Sequence, residues 1–181
     1  MSTDGSTTVV AGIEVPFDSP ILLAVLVIHV CFGLSCVVTG AIAMLSEKRR
    51  GRHSVCGTAY YWSLWVVFVT ASTLAMVRWA EDYHLFILGT LSLAGGTMGR
   101  PALRRPHLRS VRWHIALMGA SYILLLTAFY VDNGPSLPLW KELPALAFWL
   151  LPSAFGVPLT IYALRHRRLA REGPRMFRRW A

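Results

Sequence analysis

The sequence predicts an all-α integral membrane bundle of five transmembrane helices, with its N-terminus outside and its C-terminus in the cytoplasm. Three observations carry that prediction. Of the 181 residues 55% are apolar, and they fall in long blocks rather than in alternation. Charge-free runs of about twenty residues match a hydrocarbon core of about 30 Å. Second, 16 of the 18 basic residues sit on alternate loops: Lys48 to Arg52, Arg100 to Arg112, and Arg165 to Arg179. Only Arg78 and Lys141 remain for the other side, so the positive-inside rule orients the chain. Third, Asp4, Glu14, Asp18, Glu81, Asp82, Asp132 and Glu142 fall on the opposite side, and no carboxylate lies deep within a span.

The spans are drawn at residues 21–45, 55–77, 84–98, 111–131 and 143–164, within a transmembrane domain covering 21–164. Residues 1–20 form an extracytoplasmic segment and 165–181 a basic cytoplasmic tail. The first twenty residues hold no Lys or Arg and so lack the basic start of a secretory signal; the first apolar block reads as a retained span. The third span is short, at about 15 residues against the usual 20 or so. It either starts earlier, near Tyr83, or is shielded by its neighbours. The fourth and fifth are separated by a polar, proline-containing loop. Pro152, Gly156 and Pro158 predict a kink or local opening in the fifth. Gly173 and Pro174 limit the tail to two short helical pieces. Trp79 and Trp140 near the outer ends, and Trp113 and Trp180 near the inner ends, suit interfacial belts.

The net charge of +9 would suggest nucleic acid in a soluble chain. Here the basic residues flank apolar spans, so the predicted partner is the lipid bilayer, with anionic lipids at the cytoplasmic face, and not nucleic acid. A membrane partner subunit or a homo-oligomer is the further expectation. Cys31, Cys36 and Cys56 lie in or beside apolar segments without metal-type spacing and read as small buried hydrophobes.

Histidine, tyrosine and backbone are left to carry any chemistry inside the membrane. His29 lies about 12 Å below the outer boundary at 1.5 Å rise per residue. A polar group at that depth needs a partner, which makes it a functional candidate or an interhelix hydrogen bond. His53 opens the second span and His114 lies a few residues into the fourth, both near the cytoplasmic boundary, so the two are expected at one level. Their rings are the candidate ligands for haem b or a metal ion. Gly33 and Gly57 follow His29 and His53 by one turn, leaving a bare patch for a flat cofactor or for close helix packing. Gly119 is expected to leave space beside His114. His107 reads as solvated and His84 as interfacial. A two-haem electron carrier of the cytochrome b561 kind would need His29 and His84 paired near the outer face, and these differ in depth by about 12 Å.

His29, Gly33 and Gly40, then a basic turn with His53, Gly57 and Tyr60, form a pattern that resembles an uncharacterised bacterial family of multi-pass membrane proteins. Arg112, His114, Met118, Ser121, Tyr122, Thr127, Ala128 and Phe129 are similar to that family's fourth-span motif. The stretches NGPSLPLW and WLLPSAFGVPL are similar as well. The resemblance covers about residues 25 to 160 and implies that His29, His53 and His114 are the motif histidines. It implies a bacterial inner-membrane location but no activity. Ser54 stands where such proteins commonly carry arginine, so no role of that arginine transfers.

Three functions follow from these residues. The first is a membrane scaffold or accessory subunit whose histidines hydrogen-bond between helices. The second is a redox or metal-binding protein using His53 and His114, with Gly57 and Gly119 leaving space. The third is a small transporter or proton relay, with His29, Tyr122 and a broken fifth helix lining a path; no inverted repeat supports it. Hydrolysis is weaker still, because Ser121 and His114 share one helix face without a carboxylate to orient the base. No catalytic residue is assigned.

Overall fold

The computed structural model describes residues 8–10, 13–15, 19–46, 51–100, 108–137 and 142–177. A short antiparallel hairpin opens the chain, β1 (Thr8–Val10) and β2 (Ile13–Val15), registered with Thr8 opposite Val15. Among the described residues the other elements are helical: α1 (Pro20–Leu45), α2 (Arg52–Val77), α3 (Trp79–Gly99), α4 (Leu108–Asn133) and α5 (Ala145–Phe177), with a 3-10 turn at Gly134–Ser136. Among the described residues four helical stretches are long and apolar enough to cross a membrane: Pro20–Leu45, Arg52–Val77, Ser110–Ser136 and Ala145–Arg165. α3 falls outside that set, because Glu81, Asp82 and four glycines dilute its apolar residues.

The chain forms two compact units, Met1–Phe86 and Ile87–Ala181. In the first, α1 starts with Pro20 at its first turn, where the missing N–H costs nothing. It ends at Ser46, whose backbone N–H and hydroxyl both bond the carbonyl of Ile42. α2 begins after Gly51, whose φ of 127° favours glycine. α1 and α2 then pack antiparallel, burying Cys36 and Ala43 against an α2 face that holds Tyr60, Leu64, Val67 and Ala75. A single residue, Arg78, separates α2 from α3. Its carbonyl accepts the N–H groups of Glu81 and Asp82, and its guanidinium pairs with the Glu81 carboxylate. Phe86 meets Phe68 and Trp79 at ring separations of 5.9 and 5.6 Å, holding the start of α3 to the end of α2.

In the second unit α4 and α5 interlock through glycines. A Cβ on Gly119 would lie 2.7 Å from Thr160 Oγ1, and one on Gly156 would lie 2.4 Å from Ile123 Cγ1. Each helix therefore receives a side chain of the other where it has none. On the α3–α4 side, a Cβ on Gly95 would lie 3.0 Å from the Leu117 carbonyl.

Many large apolar side chains are exposed, while Tyr60, Leu64, Leu125 and Phe148 are buried beside small and polar residues. Ile21 and Phe155 are each 73% exposed, with Val30, Leu34, Trp62, Leu91 and Leu150 also exposed. The buried positions include Ser63, Thr70, Ser92, Ser121 and Thr127. That distribution suits a lipid surround, in which helices meet through small and polar residues. Hydroxyls of Thr70, Ser72, Thr97, Thr127 and Thr160 bond carbonyls one turn back. Among the described residues no buried side-chain polar atom lacks a partner.

Two expectations about the helices are revised. The third helix starts at Trp79 and so is 21 residues long. The tail, expected to form at best two short pieces around Gly173 and Pro174, continues the fifth helix as one element to Phe177. Membrane helices tolerate proline where neighbouring groups satisfy the freed backbone, and nothing in the sequence around Gly173 and Pro174 accounts for the helix continuing there. Lys48 to Arg50, Arg104, Arg105, His107, Trp140, Lys141 and Trp180 lie outside the described residues.

Candidate functional site

His29, His53 and His114 each lie at a helix pair within one unit, and each uses the same ring nitrogen. His29 Nδ1, on α1, is 3.0 Å from Thr70 Oγ1 on α2. The Thr70 hydroxyl lies 2.8 Å from the carbonyl of Val66 and 3.0 Å from that of Val67, so its proton is directed into its own helix. The threonine oxygen therefore accepts, and His29 Nδ1 donates. His53 Nδ1, in the first turn of α2, lies 2.7 Å from the carbonyl of Ala43 near the end of α1. His114 Nδ1, in the second turn of α4, lies 2.9 Å from the carbonyl of Gly99 at the end of α3. A carbonyl has no proton to give, so both rings donate from Nδ1.

One consequence is chemical. In the neutral imidazole a protonated Nδ1 makes Nε2 the basic nitrogen, the atom that ligates metals or takes up a proton. A second consequence is structural. The last four carbonyls of a helix lack intrahelical partners, and His53 and His114 satisfy one each for α1 and α3.

The remaining predicted residues divide. Gly57 is open: a Cβ there would meet nothing within 4 Å, and the same holds for Gly33. Gly119 is not open, because Thr160 of α5 fills the position; the expected cofactor space beside His114 is replaced by close packing of α4 on α5. Tyr122 is half-buried on α4. His84 is stacked edge-on to Tyr83 at 5.7 Å. Ser121 is fully buried, and its carbonyl accepts from Ser92 Oγ at 2.8 Å, with the two hydroxyls 3.4 Å apart. Ser121 and His114 are thus both directed at α3. Cys31, Cys36 and Cys56 are free thiols, exposed, buried and half-buried in turn. Among the described residues no group of three or more His, Cys, Asp or Glu side chains is placed to hold a metal ion.

Sequence reasoning missed the small donors. Cys36 Sγ donates to the carbonyl of Tyr60 at 3.7 Å, and Ser35 and Ser63 hydroxyls lie 3.1 Å apart. The available signal was a small polar residue inside each apolar block at interface spacing. Compared with protein families, with curated proteins and with solved structures, the chain matches none.

Proposed function

We propose that this chain is a five-span protein of the bacterial inner membrane that serves as a scaffold or accessory subunit, its histidines joining helices in pairs. The observation that carries this reading is the shared use of Nδ1: His29, His53 and His114 each donate to a neighbouring helix. In lipid such bonds stand in for the hydrophobic drive that holds soluble bundles together. α3 is the fifth crossing. Its 21 residues rise about 32 Å, enough for a hydrocarbon core of about 30 Å. Its small, buried Ser92, Gly95, Gly96 and Gly99 suit a helix shielded by protein. With five crossings the basic loops and tail share the cytoplasmic side, where each Lys or Arg near anionic lipid contributes about 1 kcal/mol.

A second reading is favoured by the tautomer. His53 and His114 each have Nδ1 tied to a backbone carbonyl, the arrangement that orients metal-bound histidines and raises the basicity of Nε2. On this reading each ring is a candidate ligand for haem b or a metal ion, with the open patch at Gly57 one turn from His53.

Oxidised and dithionite-reduced absorption spectra of the full-length protein, expressed with ample haem and analysed for metal, separate the two. The scaffold reading expects no stoichiometric Soret band and no bound metal. A stoichiometric band abolished by His53→Ala or His114→Ala overturns it in favour of ligation.

A further inference from the structure

The same two hydrogen bonds occur twice in this chain at the same spacing. Between α1 and α2, Cys36 Sγ donates to the Tyr60 carbonyl and His53 Nδ1 donates back to the Ala43 carbonyl. Between α3 and α4, Ser92 Oγ donates to the Ser121 carbonyl and His114 Nδ1 donates back to the Gly99 carbonyl. In both hairpins the two positions on the first helix are seven residues apart, and so are the two on the second. The direction also matches: a small side chain of the first helix reaches the second, and an imidazole of the second returns to the first.

These bonds set a register without any reference to residue identity. Residues of α1 correspond to residues 56 further on in α3, and residues of α2 to residues 61 further on in α4; the second copy has five more residues between its last-turn carbonyl and its histidine, shared between the loop and the start of α4. That register aligns identical residues: Gly33 with Gly89, Gly40 with Gly96, Ala59 with Ala120, Tyr61 with Tyr122, Leu64 with Leu125, and Phe68 with Phe129. The boundary between the two units falls after Phe86, within α3, so both bonds of each hairpin lie within a single unit.

We infer that α1–α2 and α3–α4 are two copies of one helical hairpin, each latched at its loop end by an imidazole donating to a last-turn carbonyl. His53 and His114 hold one post, and Cys36 and Ser92 another. The latch has a physical reason. Last-turn carbonyls lie beyond the ladder of backbone bonds of their own helix. Histidine near a helix end can donate to them; here it comes from the next helix and fixes the hairpin register as well. Both copies carry the latch at their loop ends. The inference rests on bonds within each hairpin and stands whether the histidines are purely structural or also ligate iron.

The test is thermal unfolding of the full-length protein in lipid nanodiscs. His53→Ala and His114→Ala are each expected to lower the midpoint by about 2–4 °C. Asparagine places its amide near the Nδ1 position and glutamine near Nε2, so His53→Asn and His114→Asn should restore most of the loss while the glutamine variants do not. Cys36→Ser and Ser92→Cys should each leave the midpoint within about 1 °C, since either side chain can donate. A loss several-fold larger at one histidine than at the other overturns the equivalence, as does rescue by glutamine in place of asparagine at either.

Discussion

At the scale of single residues, His29 shows how far a sequence reaches. Its depth in the first apolar block required a polar partner, and Thr70 supplies one at 3.0 Å. The need was legible but the partner was not, since Thr70 is 41 positions away and one of several hydroxyl residues in α2. His29→Ala should destabilise the α1–α2 hairpin by about 0.6–1.7 kcal/mol. Thr70→Val should cost a similar amount, and the double variant should cost clearly less than the sum, because both remove one bond. Chemical or thermal unfolding in lipid reads the cycle; strict additivity would show that the two side chains do not interact. Cys36 marks the opposite case. It was readable as small and buried, yet nothing in its residue type announced a donor to the Tyr60 carbonyl.

Among elements, the apolar blocks located all five helices, and the errors concern their ends and faces. α3 begins before the apolar run does, because Glu81 and Asp82 suit the positive end of a helix even though they interrupt hydropathy. The glycines were all visible, but their use depends on which neighbour arrives. At Gly33 and Gly57 none comes within 4 Å, whereas Thr160 and Ile123 close on Gly119 and Gly156. Gly33→Ala and Gly57→Ala should therefore be neutral or stabilising by up to about 1 kcal/mol through helix propensity. Gly119→Ala and Gly156→Ala should destabilise by about 1–3 kcal/mol through overpacking between α4 and α5. Unfolding midpoints of the four variants check the contrast; similar losses at Gly57 and Gly119 would contradict it.

For the whole molecule, four stretches are long and apolar enough to cross a membrane and α3 is the less apolar fifth helix, so the count of crossings decides the topology. Five crossings put the termini on opposite sides; four would put them on the same side and split the basic loops between faces. The distribution of charge was legible from the start and favours five. Reporter fusions should find the N-terminus outside and the C-terminus in the cytoplasm, and both termini on one side would contradict the proposed arrangement. What no single stretch of sequence displayed is the repeat, because its identities are sparse and its two helices carry different offsets; the matching hydrogen bonds make it visible. The most direct test of the shared imidazole geometry is a solid-state 15N spectrum of the histidine-labelled, full-length protein in lipid. The predicted result is a protonated Nδ1 and an unprotonated, diamagnetic Nε2 for His29, His53 and His114, each assigned by its asparagine variant. A protonated Nε2 with a bare Nδ1 at any of the three would contradict the interhelix bonds, and paramagnetic broadening at His53 and His114 would replace the scaffold reading with ligation.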